Sequence, residues 1–163
     1  FDTQVLSATE NADGVTIECK VTNTGDYKGK QVVCAYMEKP CGTLGNPVRE
    51  LAAFGKTKEL MPGEDCEISL FVPASAFSSY DDSGKSGHMS AYVIEKGTYG
   101  IAIGDNVREA KTAFTTEKAE TEVYLQLQQT SAPQKEFSKM SAVQKNGKYF
   151  ANQIKKTTFA LPK

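Results

Sequence analysis

An antiparallel β-sandwich is the fold this sequence predicts, and three observations predict it. Apolar residues recur with period two. The alternating stretches are short and bounded by turn residues. No stretch sustains the 3.6-residue period of an amphipathic helix. At 163 residues the chain has the length of about one domain, enough to bury a core without a covalent staple.

The elements follow in order. In Val15-Thr16-Ile17-Glu18-Cys19-Lys20-Val21-Thr22 every odd position is apolar and every even one polar, the pattern of a strand with one buried face. Asn23-Thr24-Gly25-Asp26 ends it with turn residues. Val32-Val33-Cys34-Ala35-Tyr36-Met37 is a continuous apolar run, suited to a strand covered on both faces. Residues 38–49, with Pro40, Gly42, Gly45 and Pro47, read as a long loop. Leu51–Phe54 and Pro73–Phe77 read as short helical turns. Met61-Pro62-Gly63-Glu64 is a turn in which Pro fixes φ and Gly accepts positive φ. After it Cys66, Ile68, Leu70 and Val72 alternate with Glu67, Ser69 and Phe71. Residues 78–89 are small, polar and flexible, a second long loop of the kind that often carries function. Ala91–Ile94 reads as a strand and Glu95-Lys96-Gly97 as a tight turn. Tyr99, Ile101 and Ile103 alternate against small residues, and Lys111–Thr115 adds one more strand.

A boundary falls near residue 116. Residues 116–163 carry a net charge of +4, against −5 for residues 1–115. The acidic part is the sandwich and the basic part a tail. In the tail Val123, Leu125 and Leu127 predict one extra strand, Thr130–Lys135 a linker, and Asn146-Gly147 a hairpin turn. Ile154, Phe159 and Leu161 are too sparse to form a core, so the tail packs on a neighbour or partly lacks order.

Composition excludes several functions. A net charge of −1 and a pI near 5.9 exclude a strongly basic nucleic-acid binder. No run of about 18 apolar residues spans a membrane. His88 is the single histidine, so a multi-histidine metal site is impossible and a Ser/His/Asp triad would have to use it. Tryptophan, the usual platform for sugars, is absent. Cys19, Cys34, Cys41 and Cys66 match neither a zinc pair nor a redox motif. Three of them fall at apolar strand positions, where a reduced thiol packs as a small hydrophobe. With no N-x-S/T sequon, a cytoplasmic setting is favoured over a secreted one. The start at Phe1, with no signal peptide following, reads as the edge of a piece of something longer.

Several motifs in order carry a resemblance. Asn23-Thr24-Gly25 followed by Gly29, Val32 and Tyr36 resembles the NTG…G…V…Y segment of the fibronectin type III-like domain of glycoside hydrolase family 3. Residues 47–56, Pro-Val-Arg-Glu-Leu-Ala-Ala-Phe-Gly-Lys, resemble its PVKEL.GF.K stretch, and Leu60–Glu64 its L.PGE turn. Tyr80-Asp81 stands where the family has an aromatic–aspartate pair. Residues 92–99 resemble WVVEPGTY, with Tyr92 for Trp and Lys96 for Pro. Ala53 replaces the family's usual Gly. The resemblance covers roughly 1–115.

It implies an immunoglobulin/fibronectin type III-like sandwich over 1–115 with an extended tail at 116–163. It further implies a non-catalytic accessory domain, or a fragment, of a β-glucosidase-type enzyme of carbohydrate metabolism. The nucleophile of such enzymes lies on a (β/α)8 barrel and the acid/base on an α/β domain; no βα alternation occurs here. Those catalytic domains, in the same chain or a separate subunit, are the expected partners, with possible oligosaccharide contact and no cofactor, metal, nucleic acid or membrane. In permuted members the barrel follows this domain, and Ser131–Phe137 reads as a lead-in to one.

No catalytic residue is assigned. Asp81 and Asp82 are an adjacent carboxylate pair in the second loop, but a retaining glycosidase needs two carboxyl groups flanking the bond, with one pKa raised in a pocket. Turn residues bonding their own backbone are the simpler reading. His88 stands among Gly and Ser as a solvated loop residue. The candidate site is the loop as a whole, with Tyr80, Asp81, Asp82 and His88 on the rim of the parent enzyme's sugar site. Arg49 and Glu50 are candidates for ion pairs at a domain interface. Tyr27, Tyr36, Tyr92 and Tyr99 read as core or strand aromatics. An independent carbohydrate-binding module is the alternative, and an autonomous enzyme a third reading with no constellation behind it.

Overall fold

The computed structural model describes residues 1–128 and, as backbone only, 140–145 and 148–153. Among the described residues the strands are β1 (Asp2–Asn11), β2 (Gly14–Thr22), β3 (Val32–Glu38), β4 (Glu50–Lys56), β5 (Asp65–Pro73) and β6 (Ser79–Asp81). They continue with β7 (Ala91–Ile94), β8 (Gly97–Gly104), β9 (Lys111–Lys118), β10 (Glu122–Gln126), β11 (Met140–Lys145) and β12 (Lys148–Gln153). The chain is an all-β antiparallel sandwich, and it divides into two compact units. One comprises Phe1–Glu38, Arg49–Phe77 and Tyr99–Thr116; the other comprises Lys39–Val48, Ser78–Thr98 and Glu117–Lys163.

The first unit holds a three-stranded sheet, β1-β2-β5, and a four-stranded sheet, β4-β3-β8-β9. The period-two strands supply its core. Val15, Ile17, Cys19 and Val21 of β2, Val33, Ala35 and Met37 of β3, and Tyr99, Ile101 and Ile103 of β8 are buried. Each large apolar side chain so placed contributes about 1.5–3 kcal/mol by leaving water. Gly55 lies on the inner face of β4, where an added Cβ would meet Leu70 Cδ2 at 2.9 Å and Ile68 Cδ1 at 3.6 Å. A larger residue there would have to displace the Leu70 side chain.

Two turns of the sequence lock together through one buried side chain. Asn23 Nδ2 donates to the carbonyls of Tyr27 at 2.8 Å and Leu60 at 2.9 Å, while its Oδ1 accepts from Gly25 N at 3.0 Å. Its backbone N donates to Glu64 O at 2.9 Å, and its carbonyl accepts from Gly63 N at 2.8 Å. The Asn-Thr-Gly turn and the Pro-Gly-Glu turn are thus one hydrogen-bonded structure, and every polar group of Asn23 is satisfied.

Some expectations change. Leu51–Phe54 is part of strand β4, whereas Ala74–Phe77 does form one turn of 3₁₀ helix. A register shift between Ala35 and Tyr36 leaves Ala52 as an extra residue in β4, which breaks the alternation that would have marked it. Strand β1, mostly polar, escapes the periodicity; it pairs along its length with β2 from Asp2↔Thr22 to Asn11↔Gly14. Strand β3 is buried on one face only: Val32 is exposed, and Cys34 and Tyr36 are half-buried. Tyr27 is no strand aromatic but an exposed turn residue, 86% accessible. Arg49 is committed within the unit. Its Nε and Nη2 both lie 2.8 Å from Glu38 Oε1, and Nη1 donates to Val107 O at 2.6 Å.

All four cysteines are free thiols. Burial, and then the charge of Glu18, push the Cys19 thiol above its ordinary pKa, so it packs as a hydrophobe.

The second unit is built on a sheet ordered β10-β7-β6, with Tyr80 opposite Tyr92 and Tyr92 opposite Leu125. The extra strand read at 123–127 is β10. Strands β11 and β12 pair antiparallel, with Lys145 opposite Lys148. The linker at 130–135, the lead-in at 131–137, the Asn146-Gly147 turn and the sparse apolar positions 154, 159 and 161 lie outside the described residues.

Candidate functional site

Two loops of the second unit carry its polar chemistry, and each is organised by one carboxylate. Ser79–Asp81, read from the sequence as part of the loop 78–89, form strand β6 because they pair with β7, and Asp81 ends the strand with its side chain buried. Its Oδ1 accepts from Ser83 N at 2.9 Å and Ser83 Oγ at 3.2 Å; its Oδ2 accepts from Ser86 N and Ser86 Oγ, both at 2.7 Å. Its carbonyl takes Ser90 N at 2.7 Å, which closes the loop on β7. Burial on its own would raise the carboxyl pKa. The side-chain and backbone donors of Ser86, with the backbone N–H groups of Ser83 and Lys85, outweigh it and hold the pKa down to about 2.

The sign of this shift sets a pH window. A depressed folded-state pKa stabilises fully above the ordinary carboxylate value of 3.8 and loses that contribution as pH falls toward about 2. Asp81→Asn keeps an acceptor for one side of the loop and turns an N–H₂ against donors on the other. It is expected to cost about 2 kcal/mol at pH 7, the scale of hydrogen bonds to a charged group. Urea unfolding of wild type and variant should converge as pH falls from about 4 to 2. A gap that stays constant across that range would show the charge to be irrelevant.

Glu95, just after β7, organises loop 39–48. It is buried and accepts from Thr43 N at 2.7 Å, Leu44 N at 3.4 Å, Asn46 Nδ2 at 3.3 Å and, in a short bond, Thr43 Oγ1. Asn46 also reaches back, its Nδ2 donating to Pro40 O and its N to Cys41 O, both at 2.9 Å. Gly42 has φ +55°, and the volume a Cβ would take there is filled by the Glu95 carboxylate. Lys39 is buried at the loop's start and donates to Ser78 O at 2.6 Å and Ser79 Oγ at 3.2 Å. Thr43, Lys85, Ser86, Glu95, Lys96 and Thr121 line an open cleft of about 360 Å³.

The sequence-derived candidates separate in space by role. Tyr80 is 45% exposed and packs against Tyr92, itself 38% exposed, with ring centroids 5.3 Å apart and tilted by 51°. Asp81 is consumed by the loop backbone, the turn-residue role, and a pKa near 2 leaves it no proton to give near neutrality. Asp82 is half-buried, and His88 is exposed with its backbone N 3.4 Å from Ser86 Oγ. Among the described residues no group of three His, Cys, Asp or Glu is placed to hold a metal ion. Sequence reasoning missed Glu95 and Lys39. The available signal was a carboxylate closing the apolar run Tyr92-Val93-Ile94, a position where a strand has no reason to bury a charge.

Comparison with known proteins adds five matches. Residues 31–107 match the family of the fibronectin type III-like domain. A β-glucosidase of Ruminococcus albus is 42% identical over 128 residues, which cover 78% of this chain and 14% of that protein. Beta-glucosidase A of Butyrivibrio fibrisolvens is 36% identical over 105 residues, 64% of this chain and 12% of that protein. Among solved structures, a β-glucosidase from Paenibacillus barengoltzii superposes with a TM-score of 0.86 at 33% identity over 97% of this chain and 18% of its own. β-glucosidase 3B of Thermotoga neapolitana, in complex with α-D-glucose, gives a TM-score of 0.65 at 27% identity over 76% of this chain and 16% of its own. The chain thus spans about one seventh of the length of the curated relatives it matches.

Proposed function

The chain belongs to the fibronectin type III-like domains that accompany family 3 β-glucosidases, and on that premise we propose that it acts as the non-catalytic docking domain of such an enzyme, held against the catalytic domains that hydrolyse the glycosidic bond. The observation that carries this reading is the superposition of 97% of the chain on a segment that is 18% of a β-glucosidase. In this reading the remaining length of such a protein holds the catalytic carboxylates, and the commitment of Asp81 to its own loop supports it. Co-purification with separately expressed catalytic domains, followed by a glycosidase assay, tests it: a stable, active complex is expected, and failure to associate in any format overturns it.

The loop 78–89, with Tyr80, Asp81, Asp82 and His88, forms in this proposal part of the rim of the substrate site. Its support is the preorganisation by Asp81, which fixes the backbone of Lys85 and Ser86 beside an open cleft that also presents Thr43, Glu95 and Thr121. Deleting residues 82–87 in the intact enzyme should raise KM roughly two- to tenfold with kcat little changed, the scale of one or two lost hydrogen bonds. A KM unchanged across several glycosides would sink the rim role. Free thiols with one deep in the core support a reducing, cytoplasmic setting.

A second reading has one observation in its favour. Tyr80 and Tyr92 form an exposed aromatic pair on the sheet face, a surface on which a sugar ring can stack. Titrating the isolated chain with cellobiose separates the readings: saturable binding favours an independent carbohydrate-binding module, silence the docking domain.

A further inference from the structure

We propose that the outer face of strands β3 and β4, centred on Leu51 and Phe54, is the surface by which this domain seats against the catalytic part of a β-glucosidase; the proposal rests on the docking reading above and names its surface. Strand β4 is oriented against the usual rule. Ala53 and Gly55 stand opposite Ala35 and Val33, which are wholly buried, so the small residues of β4 face the core. Phe54 and Leu51 stand opposite Cys34 and Tyr36 on the other face, and are 69% and 57% exposed. Val32 at the start of β3 is exposed as well. An edge strand meant for water carries charge or proline there, and small residues rather than large apolar ones.

The other sheet of the same unit shows what a water-facing surface looks like in this protein. Its outer pairs are Thr16↔Phe71, Glu18↔Ser69, Lys20↔Glu67 and Thr22↔Asp65. Ser69 Oγ donates to Glu18 at 2.8 Å, and Lys20 pairs with Asp65 at 2.9 Å. One outer face is thus polar and internally paired apart from Phe71, whereas the other, although Glu38 pairs there with Arg49 and Ala102 opposite Tyr36 is buried, leaves Val32, Leu51 and Phe54 exposed. The β3 sequence reads as a strand covered on both faces, yet among the described residues only one face of β3 is fully buried.

The missing cover is assigned to the rest of a β-glucosidase. A chain that matches 14% of one such protein and 18% of another leaves over four-fifths of each outside the match, to share a surface with this domain. Interface cores are enriched in aromatic residues, and a protruding Phe flanked by a Leu and a Tyr is the usual form of an anchor.

The test places this chain in the full-length R. albus β-glucosidase, in place of the stretch it matches. It compares wild type, the double variant Leu51→Ser/Phe54→Ser, and Phe71→Ser on the opposite sheet. The double variant is expected to shorten the thermal-inactivation half-life of glucosidase activity tenfold or more, with Phe71→Ser within twofold of wild type. In the isolated chain the same double variant should leave the urea midpoint unchanged, because both side chains are exposed there. A grafted double variant as durable as wild type overturns the proposal. So does equal destabilisation of the isolated chain, which would mean that the pair serves this chain's own fold. A dimer of the isolated chain that sediments as such and is lost in the double variant also overturns it, by giving the face to a second copy. A wild-type graft that never assembles an active enzyme counts against the docking-domain reading itself and not against the choice of face.

Discussion

Asn23→Asp is expected to destabilise the first unit by about 3–5 kcal/mol at neutral pH, a large part of the 5–15 kcal/mol that holds a typical domain folded. The substitution is nearly isosteric, so packing is not the issue. The two N–H donors that Asn23 directs at the carbonyls of Tyr27 and Leu60 become a carboxylate oxygen facing two carbonyl oxygens in a buried site. Of the side-chain bonds only that from Gly25 N survives, beside the two backbone bonds to Glu64 and Gly63. The variant can ionise and meet repulsion without solvent, or take up a proton and recover one donor. Either route raises its folded-state pKa above the ordinary carboxylate value. A raised pKa means that the folded state binds the proton more tightly, so the variant should regain stability as pH falls toward that value. Asn23→Ala loses the same two donors without the charge and should cost about 3 kcal/mol with no such pH dependence. Urea unfolding at pH 7 and pH 5 separates them. An Asn23→Asp chain within 1 kcal/mol of wild type at pH 7 would refute the interlock of the two turns.

That interlock also shows what was legible in the sequence and what was not. Asn-Thr-Gly and Pro-Gly-Glu are each readable as turns, because turn chemistry is local. That one side chain joins them across 37 residues is a property of the fold. Strands β2 and β5 were legible because a single buried face imposes alternation, and β8, buried on both faces, because its large apolar residues alternate with Gly and Ala. Strand β1 was not, since it lies at an edge and buries little. Strand β4 was misread because a bulge at Ala52 and an inverted face hide its period. The loop at 78–89 looked flexible from its small polar residues. Those serines are the donors that a buried aspartate requires, and composition cannot distinguish a solvated serine from a bonded one. Tyr27 was misplaced for a similar reason: an aromatic beside a turn has no periodic neighbours to declare its side.

Glu95→Ala is the second change with a large expected effect. Its carboxylate is the common acceptor for Thr43 N, Thr43 Oγ1, Leu44 N and Asn46 Nδ2, and Asn46, which is buried, has no other carboxylate to turn to among these bonds. Losing it should cost about 3 kcal/mol, the scale of several donors left without a charged acceptor. The cost is local, because residues 39–48 contribute little to the buried apolar core. Amide exchange is therefore the sensitive readout: protection at Thr43 and Leu44 should fall by roughly a hundredfold, as an opening made easier by 2.7 kcal/mol requires. Glu95→Gln keeps one acceptor oxygen while presenting an amide to the remaining donors, and should fall between the two. Gly42→Ala reaches the same end by another route, since its methyl must displace the carboxylate from the loop. Two unlike substitutions with one exchange signature would establish Glu95 as the residue that shapes this wall of the cleft. Unchanged protection in Glu95→Ala would mean that the loop holds its form through Asn46 and its backbone bonds alone. For the rim role proposed above the distinction matters, because a wall preorganised by a buried carboxylate would meet a sugar without first being ordered, and its loss should then appear in KM before it appears in kcat.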